Sequence, residues 1–301
     1  SLLNARLTCL VVLGAVVPAG SSLAQSTSGA LDQAASQSAD IFARDRAVAV
    51  RDRPHPDYEA LGVRAGTFMA YPRVQFDAEY NDNVFATATR EQSDWVVRVR
   101  PELALESGWS RHALSAYARA TISRYADFES ENSEDYGVGA AGRLDITRAS
   151  SLAAGADYAS LTEPRSSSNT PSSTRDPVAY DLSSAYMAGV QTRGRTKLSA
   201  RGDIRAYDYQ DGRTIAGAVV DQDNRDRTIS SFTARGDYAV SPATAVFVQA
   251  TGNKRDYDQA GTLATPARDS EGYEFLAGAN FEAGAVARGE IELYRRSGRA
   301  L

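Results

Sequence analysis

The chain has 301 residues, of which 43% are hydrophobic and 24% are charged, and its formal net charge is −5. After the first twenty-odd residues no apolar run approaches the ~20 residues of a membrane-spanning helix, which excludes a helical membrane protein. The positive and negative charges are well mixed along the sequence, so it has no basic segment that would bind nucleic acid. The single cysteine is Cys9, so the rest of the chain has no thiol and can form neither a disulfide nor a thiolate metal site.

Residues 1–24 have the pattern of a secretory signal peptide. Arg6 supplies the positive charge, residues 7–17 form the apolar stretch, and the small residues Ser22 and Ala24 occupy positions −3 and −1 of a cleavage site. A membrane anchor is the alternative, but the apolar stretch is too short for one. We therefore predict an exported protein.

Residues 25–60 are rich in Ala, Ser, Gln, Asp and Arg and contain the motif DRPHPDY at 52–58. The prolines of this motif force an extended, non-helical path. We expect a periplasmic, largely disordered segment, with a short helix within 30–50 as the alternative.

From about residue 66 one pattern dominates. In VQFDAEY at 74–80 apolar and polar residues alternate, which is typical of a strand with one wet and one dry face. The cleanest example is 197–206. We predict eleven such strands of roughly 9–14 residues. The alternation that indicates them is seen at 66–80, 95–106, 113–123, 135–146, 152–158, 180–191, 197–206, 232–238, 246–253, 273–282 and 288–293.

The connections between these segments alternate in length. The short ones are 107–111, 147–150, 192–195, 241–243 and 282–286, and the long polar ones are 81–93, 126–134, 159–178, 209–227 and 255–270. A soluble β-sandwich is the alternative, but it would not sort its loops by length and its strands would be shorter. Residues 61–301 are therefore predicted to form an all-β, antiparallel transmembrane β-barrel meander.

In such a barrel the apolar face contacts lipid and the polar face lines the lumen. We expect the apolar set Tyr180, Leu182, Tyr186 and Val190 to contact lipid. Aromatic residues near strand ends fit interfacial girdles, with ordinary cross-strand packing as the alternative: Tyr80, Trp95, Tyr125, Tyr158, Tyr180, Tyr209, Tyr238 and Tyr273. The predicted lumen lining comprises Arg98, Arg100, Glu102, Arg119, Arg143, Asp157, Arg201, Asp203, Arg205, Arg235, Asp237, Glu274, Arg288 and Glu290.

Bacterial single-chain barrels have an even number of strands, whereas eleven are predicted here. The chain also ends in RRSGRAL, without a terminal aromatic residue. We therefore expect a carboxy-truncated piece of a larger barrel, in which the strand at 287–295 does not pair in full with the strand at 67–80.

The stretch from Leu61 to Ser110 carries specific motifs, LGVRAGTFMAYPRVQFDAEYNDNVFAT and SDWVVRVRPELALESGWSRHAL, followed by SRYADF and GRLDITR. It resembles the type-2 outer-membrane β-barrel porin family. The resemblance is good over residues 56–165, and beyond them it is limited to the spacing of the strands. The resemblance implies a barrel in the outer membrane of a Gram-negative bacterium. It also implies an association with systems that make or export exopolysaccharide.

Three sequence features contain residues that catalytic or metal sites use. His112 could join a Ser-His-Asp site with Asp94 or Asp145, but nothing in the spacing supports it, and a turn histidine is preferred. The Asn and Asp side chains of YNDNVF at 80–85, and those of DQDNRDR at 221–227, have oxygen ligands for a cation. They also suit turns and a solvated loop. We expect no enzyme, no metal and no cofactor.

The function hypothesis is a passive pore, or barrel partner, in polysaccharide export. Its expected partners are outer-membrane lipid, the polysaccharide and export-machinery proteins, and no nucleic acid. The alternative is a structural or ligand-binding surface barrel without transport activity. A lining of mixed sign suits a neutral or weakly charged hydrophilic solute, but the charges could instead pair across strands and fill the lumen.

Overall fold

The computed structural model describes residues 61–167, 174–259, 268–283 and 287–300. The predicted signal peptide and the segment at 25–60 lie outside these residues. The strands are β1 Val63–Ala65, β2 Phe68–Asn81, β3 Asp94–Ser107, β4 Ala113–Tyr125, β5 Ser133–Thr147, β6 Ser150–Thr162, β7 Ala179–Arg193, β8 Thr196–Tyr209, β9 Gly212–Arg213, β10 Val219–Val220, β11 Arg227–Ser241, β12 Thr244–Tyr257, β13 Ser270–Ala283 and β14 Ala287–Ala300. In the same described ranges, two single 3₁₀ turns span Glu129–Glu131 and Asp223–Arg225.

Twelve of the described strands form one antiparallel sheet in which each strand pairs with its neighbour in the chain, from β1 through β8 and then β11 to β14. Strands β9 and β10 form a separate small hairpin inside the loop between β8 and β11. The predicted meander and its eleven long strands are confirmed over the described residues. The short strand β1, which pairs with the start of β2, was not predicted.

The eleven long strands in the described part have 13–15 residues each. At about 3.3 Å per residue a 14-residue strand is about 46 Å long, and at a tilt of about 45° it spans about 33 Å. That span covers the ~30 Å hydrocarbon core of a bilayer. Among the described residues there is no helix long and apolar enough to cross a membrane.

The connections are sorted by length, as predicted. The described tight turns lie at one end of the sheet, at 66–67, 108–112, 148–149, 194–195 and 242–243, and the long loops lie at the other, at 82–93, 126–132, 163–178, 210–226 and 258–269. Gly66 and Gly194 have φ of +64° and +60°, a conformation that glycine adopts without a steric penalty. We call the two ends the short-turn end and the long-loop end.

The two faces of the sheet have opposite character. On the apolar face Phe76, Val248 and Leu293 expose 72%, 63% and 59% of their surfaces. On the polar face Val96 and Phe247 expose 0% and 3%. Where the structure describes side-chain burial, the buried strand residues all lie on the polar face: Asp94, Val96, Ser123, Gly137, Ala141, Ala159, Tyr186, Tyr209, Asp237, Ala245 and Phe247. The sheet therefore curves towards its polar face and presents a continuous apolar surface outwards, the arrangement that lipid favours.

The expected sidedness of β7 was wrong. The register places Leu182 opposite Ala159 and Tyr186 between Gly155 and Asp203, so Tyr180, Leu182, Tyr186 and Val190 belong to the polar face. Gly155 gives the reason, because a Cβ there would lie 2.6 Å from Cε1 of Tyr186. The tyrosine ring occupies the space left by the missing side chain, and period-two polarity alone could not reveal this.

Three members of the expected aromatic girdles are also corrected by the register. Tyr125, Tyr180 and Tyr209 lie on the polar face, and Tyr209 is only 7% exposed. By contrast Tyr80 and Trp95 pack against each other on the apolar face with ring centroids 5.4 Å apart. An aromatic residue near a strand end therefore fits a girdle only when its register position faces outwards.

The sheet is not closed over the described residues. Strand β14 pairs with β13, and β2 pairs with β1 and β3, with no ladder between β14 and β2 in this part of the chain. The expectation that the strand at 287–295 does not pair in full with that at 67–80 agrees with this register. That the chain is a piece of a larger barrel stays a prediction.

Candidate pore lining

The residues predicted to line a lumen share one face of the sheet in the described register. Glu102, for example, lies between Arg73 of β2 and Arg119 of β4. The same alternation holds for Arg98, Arg100, Arg119, Arg143, Asp157, Arg201, Asp203, Arg205, Arg235, Asp237 and Glu274. For Arg288 and Glu290 the structure gives backbone register alone, opposite Glu282 and Asn280. Their role as pore lining stays a prediction.

At the amino-terminal side of the sheet, charges of opposite sign pair between β2 and β3. Arg73 Nη2 donates to Glu102 Oε2 at 2.5 Å, and Arg98 and Arg100 form ion pairs with Glu79 and Asp77. The carboxylates of Asp77 and Glu79 were absent from the predicted lining, although the alternation of β2 places them on the polar face. These pairs keep the net charge of this region low.

On later strands, pairing occurs within one strand, between residues two positions apart. Arg235 Nε donates to Asp237 Oδ1 at 2.9 Å, and Arg143 Nε lies 3.1 Å from Asp145 Oδ1. A looser pair joins Arg201 to Asp203, whose Nε and Oδ1 are 3.6 Å apart. Residues two apart on a strand share a face, so this spacing puts both charges on the polar side. The alternative for the mixed lining was pairing across strands; the β2–β3 pairs have that form, whereas these later pairs run along one strand.

Aromatic rings also lie on the polar face. A Cβ on Gly139 would lie 2.6 Å from Cε1 of Tyr117, and Arg119 lies 5.2 Å from the centroid of the Tyr117 ring. Arg235 stacks on Phe247 at 3.8 Å. Tyrosine over a cross-strand glycine is a recognised packing arrangement in sheets. The polar face is therefore a surface of paired charges and partly covered rings.

The long loops are joined to one another at their end of the sheet. Arg165 donates to both carboxylate oxygens of Glu131, at 2.7 Å and 2.9 Å, and the two side chains are only 9% and 3% exposed. Arg225 donates to Glu163 Oε1 at 2.7 Å. The ring of Phe85 packs edge-on against that of Phe128 at 5.0 Å. These contacts connect the loops at 82–93, 126–132, 163–178 and 210–226.

Arg225 is held on two sides. Its guanidinium stacks on Tyr209 at 3.9 Å, and Tyr209 in turn stacks on Tyr180 at 5.0 Å. Burial acts to lower the pKa of Arg225, but the hydrogen bond and charge of Glu163 outweigh it and raise that pKa. The arginine therefore stays charged, and the loop at 210–226 is anchored to the rim of the sheet.

The histidine and YNDNVF motifs have structural roles in the described residues. Nδ1 of His112 accepts from the backbone N–H of Asp145 at 3.0 Å, at the short-turn end. Asn81 Oδ1 accepts from the backbone N–H of Asn83, and Asn83 Oδ1 from that of Thr87, both at 3.0 Å. The turn interpretations of these motifs are supported by these bonds.

Three carboxylates of the loop at 210–226 lie close together: Asp211, Asp221 and Asp223 have oxygens within 4.8 Å of one another. All three are exposed, and Asp211 and Asp221 accept backbone N–H groups of Gln222 and Asp223. The charge of Asp221 is the largest of the causes that raise the pKa of Asp223. Backbone hydrogen bonds therefore hold Asp211 and Asp221 in this solvated loop, where their carboxylates and that of Asp223 repel one another.

Comparison with known families agrees with this architecture. A family model described as "Putative beta-barrel porin 2" matches residues 55–296. The chain belongs to this β-barrel porin family. The match extends beyond residues 56–165, where the sequence resemblance is good. Membership of this family indicates that the porin is located in the outer membrane.

Two solved structures resemble the porin weakly. An outer membrane channel from Pseudomonas putida F1 is 15% identical with a TM-score of 0.34, covering 83% of this chain and 100% of that one. The translocator domain of an autotransporter from Neisseria meningitidis is 10% identical with a TM-score of 0.25, covering 81% and 90%. At these scores neither likeness transfers a function. A search of curated proteins finds no match.

Proposed function

We propose that this porin forms a water-filled pore in the outer membrane for neutral or weakly charged hydrophilic solutes, and that it works in exopolysaccharide export. Family membership supports a channel and favours a non-enzymatic role. The observation that carries the choice of solute is the pairing of charges on the polar face, with Arg235–Asp237 and Arg73–Glu102 as examples.

Paired charges on a pore lining determine which solutes the lining favours. A lining of one dominant sign selects strongly for ions of the opposite sign. Guanidinium and carboxylate groups that already compensate each other have little net field, but they keep hydrogen-bond donors and acceptors. Hydroxyl-rich chains need such groups, and their apolar C–H faces can contact a partly exposed ring such as that of Tyr117.

Two experiments test this proposal. The purified porin in planar bilayers should give a steady conductance with weak ion selectivity, and a strain lacking the gene should lose surface polysaccharide. Wild-type polysaccharide and biofilm in that strain would refute the export role, whereas a silent bilayer would refute the pore itself. Replacing Arg201 and Arg235 together by Ala should reproduce part of the export defect in a folded, inserted barrel.

A second candidate is a structural or ligand-binding surface barrel without transport. The specific observation in its favour is the set of contacts that joins the long loops, above all the buried Glu131–Arg165 pair. Ordered loops make a better ligand surface than mobile ones, because less conformational entropy is lost on binding. Conductance separates the two candidates, since a surface barrel gives no steady current.

A further inference from the structure

One part of the polar face departs from the rule of paired charges. Arg205 and Arg255 are exposed, and neither has a hydrogen bond or ion pair among the described residues. Arg227 donates to the backbone carbonyl of Arg225 and stacks on Tyr207 at 4.3 Å, but it too has no carboxylate partner in this part of the chain. We call Arg205, Arg227 and Arg255 the arginine cluster.

The register brings these three residues together. Arg205 of β8 pairs with Ile229 of β11, and Ile229 pairs with Arg255 of β12. Arg205 and Arg255 are thus two strands apart in one row, about 10 Å at a strand spacing of about 4.8 Å. Arg227 lies on the intervening strand, two residues nearer the long-loop end, so all three guanidinium groups belong to one area of the polar face.

The carboxylates near the arginine cluster are engaged or more distant. Asp203, in the next row, is paired with Arg201. Asp226, above the cluster, accepts the backbone N–H of Tyr209 at 2.6 Å. Glu274 is two rows away from Arg255 along β13, towards the short-turn end. Asp157 lies two strands from Arg205 in the same row and accepts a hydrogen bond from the Ser184 hydroxyl at 2.6 Å. Among the described residues none of these carboxylates forms an ion pair with the arginine cluster.

We propose that the arginine cluster is a binding site for the carboxylate groups of an acidic polysaccharide, placed just inside the long-loop end of the pore. Guanidinium binds carboxylate through two parallel N–H···O bonds, so the three groups on one wall can hold the acidic residues of an extended, otherwise neutral chain. The inference rests on the proposed export function and specifies its weakly charged solute as a polymer with uronate residues among neutral sugars.

The test uses the full-length porin in planar bilayers and measures block of the current by added sugars. Hexagalacturonate should block at a concentration about tenfold lower than maltohexaose, because charge-assisted hydrogen bonds to the exposed cluster should together raise the affinity by about that factor. Monomeric galacturonate should block weakly. Raised salt should weaken the block by hexagalacturonate, since exposed charges are screened.

The double variant Arg205→Gln with Arg255→Gln should remove most of this preference while keeping the conductance. The control is Arg124→Gln, which removes one arginine charge from the apolar face, where Arg124 pairs with Glu134; it should keep the preference, as should either single variant of the cluster in part. Equal block by the acidic and neutral hexamers, equal block by the monomer, or an unaltered preference in the double variant would overturn the inference while leaving the pore intact.

A bilayer that carries no current would instead refute the proposed pore. Calorimetry on the detergent-solubilised protein then decides the inference separately, because binding needs no conduction. Hexagalacturonate should bind the wild-type porin and bind the double variant about tenfold more weakly. Binding of equal strength to both would overturn the arginine cluster as a site.

Discussion

A charge placed on the apolar face tests the assignment of the two faces most sharply. Ile204 lies on the apolar face of β8, is 48% exposed, and faces Ala185 and Ser230 across its two ladders. It is 1.5 residues from the midpoint of Thr196–Tyr209, or about 3–4 Å along the membrane normal at a tilt of about 45°. Ile204→Arg therefore puts the charge close to the middle of the bilayer.

At that depth the substitution should cost about 2–4 kcal/mol of folding free energy in lipid. The folding equilibrium should then fall by roughly 30- to 1,000-fold, since each 1.4 kcal/mol is a factor of ten. Ile204→Ala, which removes the side chain without adding charge, should cost far less. Arg205→Ala, one residue along on the polar face, should also have a small effect.

The assay is reversible guanidinium unfolding of the protein in lipid vesicles, followed by tryptophan fluorescence. Equal losses from Ile204→Arg and Arg205→Ala would refute the sidedness, because neither face could then be the wet one. A soluble sandwich with a buried core would become the better account.

Other predictions concern the ends of the barrel. A cysteine at Ala216 in a long loop should react with an impermeant maleimide on whole cells, whereas one at Arg195 in a tight turn should not; the reverse pattern would invert the topology. Glu131→Gln breaks a buried ion pair, which should cost about 3–5 kcal/mol locally and speed proteolysis of the long loops; unchanged cleavage would contradict the loop contacts. Asp223 has a raised pKa because of Asp221, so its stabilising contribution is present at low pH and is lost as pH rises through that pKa. A spin label at Ala216→Cys should thus be more mobile at pH 7 than at pH 4, and Asp223→Asn should reduce that difference; a pH effect of the same size in the variant would count against this explanation.

The long strands and the sorting of loops could be predicted from the sequence because both follow from local rules. The alternation of polar and apolar residues identifies each strand and its two faces, as at 74–80 and 197–206. Clusters of turn residues identify the connections between strands. The prediction failed at β7, where Tyr186 packs into the space over Gly155 on the neighbouring strand. That contact depends on which residue of β6 lies opposite Tyr186, and the sequence of β7 alone does not predict this.

The contacts of the long loops could not be predicted for a related reason. Glu131 and Arg165 are separated by 34 residues, and Glu163 and Arg225 by 62. Each residue alone looks like a solvated charge in a polar loop. Only the meander, which sets consecutive long loops side by side, brings these partners together. The arginine cluster likewise depends on the register of three strands.

In the proposed function, the polar face of this sheet lines a conducting pore and the apolar face of the same sheet contacts lipid. The most direct measurement is single-channel current from two cysteine variants that are adjacent on β8, Ser199→Cys on the polar face and Ala200→Cys on the apolar face. A charged, water-soluble thiol reagent should reduce the current through the Ser199→Cys channel and leave the Ala200→Cys channel unchanged. A bilayer without current, or the same response from both variants, would contradict the claim.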